Sequence, residues 1–359
     1  QRAVEVADHV LAAAEHANLL SIVADTLITK GAALYNLGRG YEGVGTIRTG
    51  QAVAESNGLT NLVFRALANR VGRESTMDPR AGFESARAGL ALAHRLGWPT
   101  KPTLVINFAA AAIRVGEWDA ALAETAKVLE RRLETVDWVG ISSTRYNVLV
   151  LRGEASAEQI EQFESDGAQL ESDVGRFPVL EVRSWQALAN GKLGDAYGYW
   201  TTFARVSALN APDALSMAGR VALWESDVGR ARSALEELDA KGLHGPALDL
   251  VRRSLNAGVL ALDGRPAEAL LAYRDVLRGF RDLGLLFDEA LTGIDILSVL
   301  GAQEADARAA GIRARGILED LGARPLLARL EALLEGAKAT EPVPTASGAV
   351  SQSVSTRGA

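Results

Sequence analysis

Every 35 to 41 residues a helical pattern in this chain is broken by a short turn, and the breaks centre on Gly38, Asp78, Gly116, Gly153, Gly194, Gly229, Gly264 and Gly301. A second set falls between them, at Gly58, Gly97, near Asp137, and at Gly175, Pro212, Gly242, Gly284 and Gly322. Each interval therefore holds two helices of about 14–18 residues, within the range of helical-hairpin repeats. The intervening segments support this. LVFRALANRV, ALAETAKVLERRL and AEALLAYRDVLRGF place apolar residues at i, i+3, i+4 and i+7. A glycine after a helix accepts the left-handed conformation that ends it. Proline soon afterwards, as in Asp78-Pro79 and Arg265-Pro266, opens the next helix. A lone hairpin cannot bury its apolar surface, whereas a stack of hairpins can.

Length fits this reading. At 359 residues, 48% apolar, the chain is too long for one compact layered domain unless it is a barrel or an array. It contains no cysteine, which excludes disulfides and thiolate metal sites and is compatible with a reducing cytoplasm. The net charge of −7 argues against direct nucleic-acid binding. No apolar run approaches the roughly 18 residues of a membrane span.

The segment GRGYEGVG contains Gly38-x-Gly40-x-x-Gly43, the spacing of a dinucleotide-binding turn. That reading requires a strand before the first glycine. The preceding residues, NLLSIVADTLITKGAALYNL, carry a helical pattern instead. Gly38 or Gly40 then reads as a helix stop, and Gly43 as a position of close packing.

Five residues after Gly264 stands Ala269, four further on is Tyr273, and seven before it is Ala257. These resemble the small and aromatic positions of the tetratricopeptide repeat. Counted from Gly38, the two small positions are Gly43 and Gly31; from Gly116 and Gly229 the second-helix position is Ala121 and Ala234. Four turns depart from the pattern: Asp78, Gly153, Gly194 and Gly301 place Phe83, Glu158, Tyr199 and Asp306 there. The resemblance implies an all-α, right-handed α-α superhelix of about eight tetratricopeptide-like hairpins over residues 19–339. Residues 1–18 read as the orphan second helix of a preceding repeat, which marks the chain as a piece of a longer one. Residues 340–359 have no helical periodicity and read as a disordered tail or linker.

A search for chemistry finds no phosphate loop, no HExxH and no GxSxG. His9 and His16 are seven apart, which is not a metal-pair spacing. No catalytic, cofactor-binding or metal-ligating residue emerges, so none is expected on this chain. Two features suit partner binding. AYGYW brings Tyr197, Tyr199 and Trp200 together, and aromatics of this kind anchor ligands in grooves. Arg274, Arg278 and Arg281 form an i, i+4, i+7 stripe able to grip an acidic segment, although Asp275 and Asp282 lie beside it. The six tryptophans otherwise read as core and inter-repeat packing.

The phrases DLGLLFDEALTGIDILSVL and RARGILEDLGARPLLARLEALL, within 282–334, resemble the C-terminal repeats of large bacterial regulatory ATP-binding proteins. That group includes the LuxR-type maltose regulators and the ATPases fused to adenylate cyclase domains. The resemblance implies a non-catalytic, cytoplasmic interaction module that regulates a signalling or transcription-regulating ATPase, its partner a protein or a neighbouring domain of the same polypeptide. The alternative it implies is a sensor that binds a small-molecule effector in its concave groove. The first expectation calls for a groove running over several repeats, and the second for a closed pocket with convergent polar groups.

Overall fold

The computed structural model describes residues 1–170 and 173–336, without the side chains of 173–175. The expected tail, 340–359, and the last residues of the expected array lie outside the described residues. Among those described, the chain forms 18 α-helices and no strand. The first is α1, Arg2–His16. Eight hairpins follow: α2 (Leu20–Asn36) with α3 (Gly40–Ser56), α4 (Thr60–Met77) with α5 (Pro79–Arg95), α6 (Pro102–Val115) with α7 (Trp118–Leu129), and α8 (Thr135–Arg152) with α9 (Ala157–Ala168). Then come α10 (Asp173–Ala189) with α11 (Leu193–Val206), α12 (Ala211–Trp224) with α13 (Val228–Ala240), α14 (Pro246–Leu262) with α15 (Pro266–Asp282), and α16 (Leu286–Leu300) with α17 (Ala305–Leu321). The last helix is α18, Arg324–Leu334. The protein is an all-α array of stacked hairpins, in which each helix packs on the next and first helices pack on first helices.

Local chemistry sets the boundaries. Asp78 caps α5 by accepting from Ala81 N at 3.0 Å, with Pro79 behind it. Ser156 and Gln159 form a reciprocal capping box at the start of α9. Two expected turn glycines are displaced. Gly194 lies inside α11, and the left-handed residue is Gly191 at φ 72°. Gly229 lies inside α13, and the reversal is made by Ser226 at φ 58°. Counting five on from these true turns reaches Ala196 and Ala231, both fully buried, so the repeat register holds where the glycines misplaced it. Gly175 and Pro212 likewise fall inside α10 and α12, and the break expected near Asp137 ends before α8 begins at Thr135.

The glycines of GRGYEGVG serve packing. Gly38 has φ 82°, and a Cβ on it would stand 2.7 Å from the Lys241 carbonyl oxygen. A Cβ on Gly43 would meet the Gly31 carbonyl at 2.6 Å, and one on Gly31 would meet the Gly43 carbonyl at 2.5 Å. Helices α2 and α3 thus touch backbone to backbone, and a helix precedes Gly38 where a dinucleotide site would need a strand.

The array closes on itself. Helix α4 contacts α14, α6 contacts α16, and α8 contacts α18, each five hairpins further along the chain. Arg80 donates to the Gly284 carbonyl at 2.7 Å, Arg152 to that of Leu321 at 3.1 Å, and Arg324 to that of Arg152 at 2.7 Å. A Cβ on Gly245 would lie 2.6 Å from the Met77 carbonyl. The turns within early hairpins therefore rest on the loops between late ones. One winding sits on the other edge to edge, and the first helices face inward.

Candidate functional site

The inward faces carry polar residues where a packed helix ordinarily presents apolar ones. On α12 these are Asp213, Arg220 and Trp224. On α16 they are Asp288, Thr292 and Asp295, at i, i+4 and i+7 on one face. They sort into two clusters.

The inner cluster is sealed. Arg220 and Asp295, 1% and 0% exposed, form an ion pair. Trp224 Nε1 donates to the other Asp295 oxygen at 2.7 Å, and Ser254 Oγ lies 3.4 Å from the carboxylate. Arg329 of α18 stacks 4.9 Å over the Trp224 ring, and burial lowers its pKa to about 10. Asp295 thus joins α12, α14 and α16.

The outer cluster opens to solvent. Arg114 of α6 bridges two carboxylates, donating to Asp288 at 3.0 Å and to Asp213 at 3.3 Å. Burial works to lower the Arg114 pKa, but the two aspartates together hold it above its ordinary value. Thr76 of α4 donates to Asp213 at 3.0 Å. The Asp213 side chain stays 43% accessible although its partners come from α4 and α6. Enclosure pushes its pKa up, while Arg114 and Thr76 pull it down.

Glu181 of α10, half-buried, lies near Asp213 and Asn147. Burial pushes its carboxyl up to about 7; Asn147 of α8 beside it acts in the opposite direction, and the Asp213 charge adds to the rise. One deeply buried acceptor near these residues, Asn147 Oδ1, has no hydrogen-bond partner among the described residues, and its residue is 1% exposed. Burial raises the Tyr35 pKa, opposed by nearby Thr76; the Arg73 guanidinium lies 5.6 Å from its ring.

The raised Glu181 pKa has a readable consequence. Between about pH 4.5 and 7 the folded chain keeps a proton that the unfolded chain has released. This group's contribution to stability is therefore greatest at low pH and falls as pH rises through that window. Glu181→Gln should remove that part of the slope. Relative to the unsubstituted chain, urea titrations should show a gain on the order of 1–2 kcal/mol at pH 8, with partial solvation of the site discounted, and almost none at pH 4.5. Equal gains at both pH values would contradict the assignment.

The residues expected to bind a partner lie elsewhere. Trp200 is 2% exposed and packs edge-on against Trp185 at 5.1 Å, so it belongs to the core between α10 and α11 and is not available as an anchor. Tyr197 is partly buried under Arg230, which lies 4.9 Å from its ring centre. Tyr199 lines a shallow polar recess with Glu164, Arg183 and Asp195. The arginine stripe is committed to the chain's own acids. Arg274 pairs with Asp306 of α17, Arg278 with Asp275 at 3.3 Å, and Arg281 with the buried Glu289 at 2.7 Å. Arg274 and Arg281 thereby tie α15 to α17 and α16, while Arg278 pairs within α15.

Among the described residues no group of three or more His, Asp or Glu is placed to hold a metal ion, and no helix is long and apolar enough to cross a membrane. Fold and site together define an all-α helical-hairpin array with a polar cluster joining α4, α6, α12 and α16. No protein family matches the chain by sequence, and no curated protein shows significant similarity to it.

Proposed function

We propose that this chain is a non-catalytic, effector-binding regulatory domain, and that the polar cluster around Asp213 and Glu181 receives a small molecule. The observation that carries the reading is the convergence of polar groups from α4, α6, α8, α10 and α12 about the solvent-reached carboxylate of Asp213, with the buried Asn147 Oδ1 left without a hydrogen-bond partner. Ligand sites combine few, convergent polar groups with apolar surroundings, and unpaired buried acceptors are costly until something satisfies them. A continuous open groove fits the molecule less well, because late first helices cross to meet early ones. The resemblance to the repeat regions of bacterial regulatory ATP-binding proteins supports a setting in a larger cytoplasmic signalling or transcription-regulating protein.

Capture of a protein segment or a neighbouring domain is the second reading, and one observation favours it. Leu20, Ile22 and Trp98 are exposed, and Ile22 and Trp98 border an open recess of about 740 Å³ with Asp25 and Leu62. Such apolar surface is typical of interaction sites.

A thermal-shift screen separates the two. A ligand that binds only the folded state at a hundred times its Kd stabilises it by about 2.7 kcal/mol. Sugars, nucleotides, amino acids and amines are screened against the unsubstituted chain and against Asp213→Asn and Trp98→Ala. A rise in Tm that disappears with Asp213→Asn supports the effector reading. No rise with any compound, or a rise lost only with Trp98→Ala, counts against it.

A further inference from the structure

We propose that copies of this chain stack head to tail, the loop edge of one seating on the hairpin turns of another. This surface is separate from the polar cluster, so the proposal stands or falls apart from the effector reading. It extends a joint already present inside the molecule, where turns within early hairpins sit on loops between late ones. A Cβ on Gly38, Gly116 or Gly153, each in an early turn, would meet Lys241, Leu286 or Pro325 at 2.7, 3.1 and 3.5 Å. Leu243 of a late loop is buried against Gly40. The α4–α5 turn fits between two successive late loops, with Met77 against Gly245 and Arg80 on the Gly284 carbonyl.

Each half of that joint recurs without its counterpart. The bare loops are those before α2, α4 and α6. Leu19, Leu59 and Trp98 follow the left-handed Asn18, Gly58 and Gly97 as Leu243 follows Gly242. Yet Trp98 is 39% exposed where Leu243 is 4% exposed. Nothing among the described residues lies within 4 Å of a Cβ on Gly58 or Gly97. Between these loops lies the open recess of about 740 Å³ lined by Ile22, Leu59, Leu62 and Trp98. On the late winding the corresponding space is the one that the α4–α5 turn fills. Trp98 is held in place by stacking on Phe64 at 5.6 Å, so the apolar recess is preformed.

The bare turns belong to the late hairpins. A Cβ on Gly191, Gly264 or Gly301 would meet nothing among the described residues within 4 Å. One of these turns repeats a turn that is seated internally. Arg265 follows Gly264, at φ 80°, and bonds Glu268 at 2.7 and 2.6 Å. Arg39 follows Gly38, at φ 82°, and bonds Glu42 at 2.6 and 2.7 Å. The chain thus carries both halves of the joint, one at each end of its winding, which favours a second copy over an unrelated partner. The halves are different surfaces, so the contact is heterologous and, repeated along the winding axis, builds open chains.

Sedimentation velocity on the full chain at roughly 1 to 200 µM, a range suited to a modest interface, tests this. The weight-average mass should rise with concentration and pass that of a dimer without a plateau. Trp98→Glu puts a charge in the loop-edge recess and should weaken association about tenfold or more. Ile22→Glu, in the same recess, should do likewise, and decides alone if loss of the Phe64 stack unfolds the first variant in circular dichroism melts. Lys192→Glu/Ala267→Glu places carboxylates at two exposed turns, facing the carbonyl oxygens of the loop edge, and should weaken association as much. Mixing Ile22→Glu with this turn variant should give a 1:1 complex that grows no further, since each keeps one intact edge. A mass that does not change with concentration, association untouched by either set of substitutions, or a dimer that the turn variant still forms by itself overturns the proposal.

Discussion

Replacing Asp295 by alanine should destabilise the protein by about 3–5 kcal/mol, the expected loss when one member of a buried ion pair is removed. The magnitude follows from what is left behind. Arg220 is 1% exposed, and its other carboxylate, Asp288, stands 3.9 Å away and is already engaged by Arg114. Trp224 Nε1 and Ser254 Oγ lose their acceptor in the same step. An uncompensated guanidinium among Leu, Ala and Trp side chains is a costlier state than either a complete pair or none. The double variant Arg220→Met/Asp295→Leu should therefore recover most of the loss, short of the 1–3 kcal/mol of an unpaired indole N–H. Urea unfolding followed by circular dichroism measures both. A single variant within about 0.5 kcal/mol of the parent would mean that the pair is not closed off from water as described.

Gly43→Leu should produce the other large loss, at least about 3 kcal/mol. The first carbon of the new side chain would stand 2.6 Å from the Gly31 carbonyl oxygen and 2.9 Å from Tyr35 N. These are backbone atoms of a helix and cannot swing aside, so α2 and α3 must separate. Overpacking that neighbours can absorb costs about 1–3 kcal/mol, and separation of two helices exceeds that. Gly45→Leu is the control: a Cβ there meets nothing within 4 Å, and replacing a helical glycine should be neutral or slightly stabilising. Equal effects at the two positions would refute the backbone contact.

The repeat architecture was legible because its signal is local and recurrent. A turn glycine, the helix it ends and the small residue five positions on all lie within one hairpin, and Gly31 facing Gly43 follows from that spacing. The misplaced turns have a physical cause. Glycine is tolerated both in a left-handed turn and in the first residues of a helix, so Gly194 and Gly229 mimic the neighbours that reverse the chain. The site was not legible as a constellation. Its bonds join Arg114 to residues 99 and 174 positions away, and hairpin-level patterns carry no information about which late helix meets which early one. A signal was present nonetheless: Asp288, Thr292 and Asp295 form a polar stripe on a helix otherwise built mostly from Leu, Ile, Phe, Val and Ala. Trp200 and the arginine stripe misled for the opposite reason. Clustered aromatics and evenly spaced arginines serve packing and pairing as readily as recognition, and here each stripe arginine meets an acid of this chain.

The seating of one winding upon the other changes how this array should respond to strain. An open solenoid behaves as a spring, since each unit touches only its neighbours and deformation is shared out along the length. Here the arginine clasps at Gly284, Leu321 and Arg152 tie coils that are distant in sequence, so stretching must break discrete bonds before it can lengthen anything. Trimming the last hairpin would likewise expose two places at once, its direct neighbour and the early coil on which it rests. The chain is in this sense a locked coil.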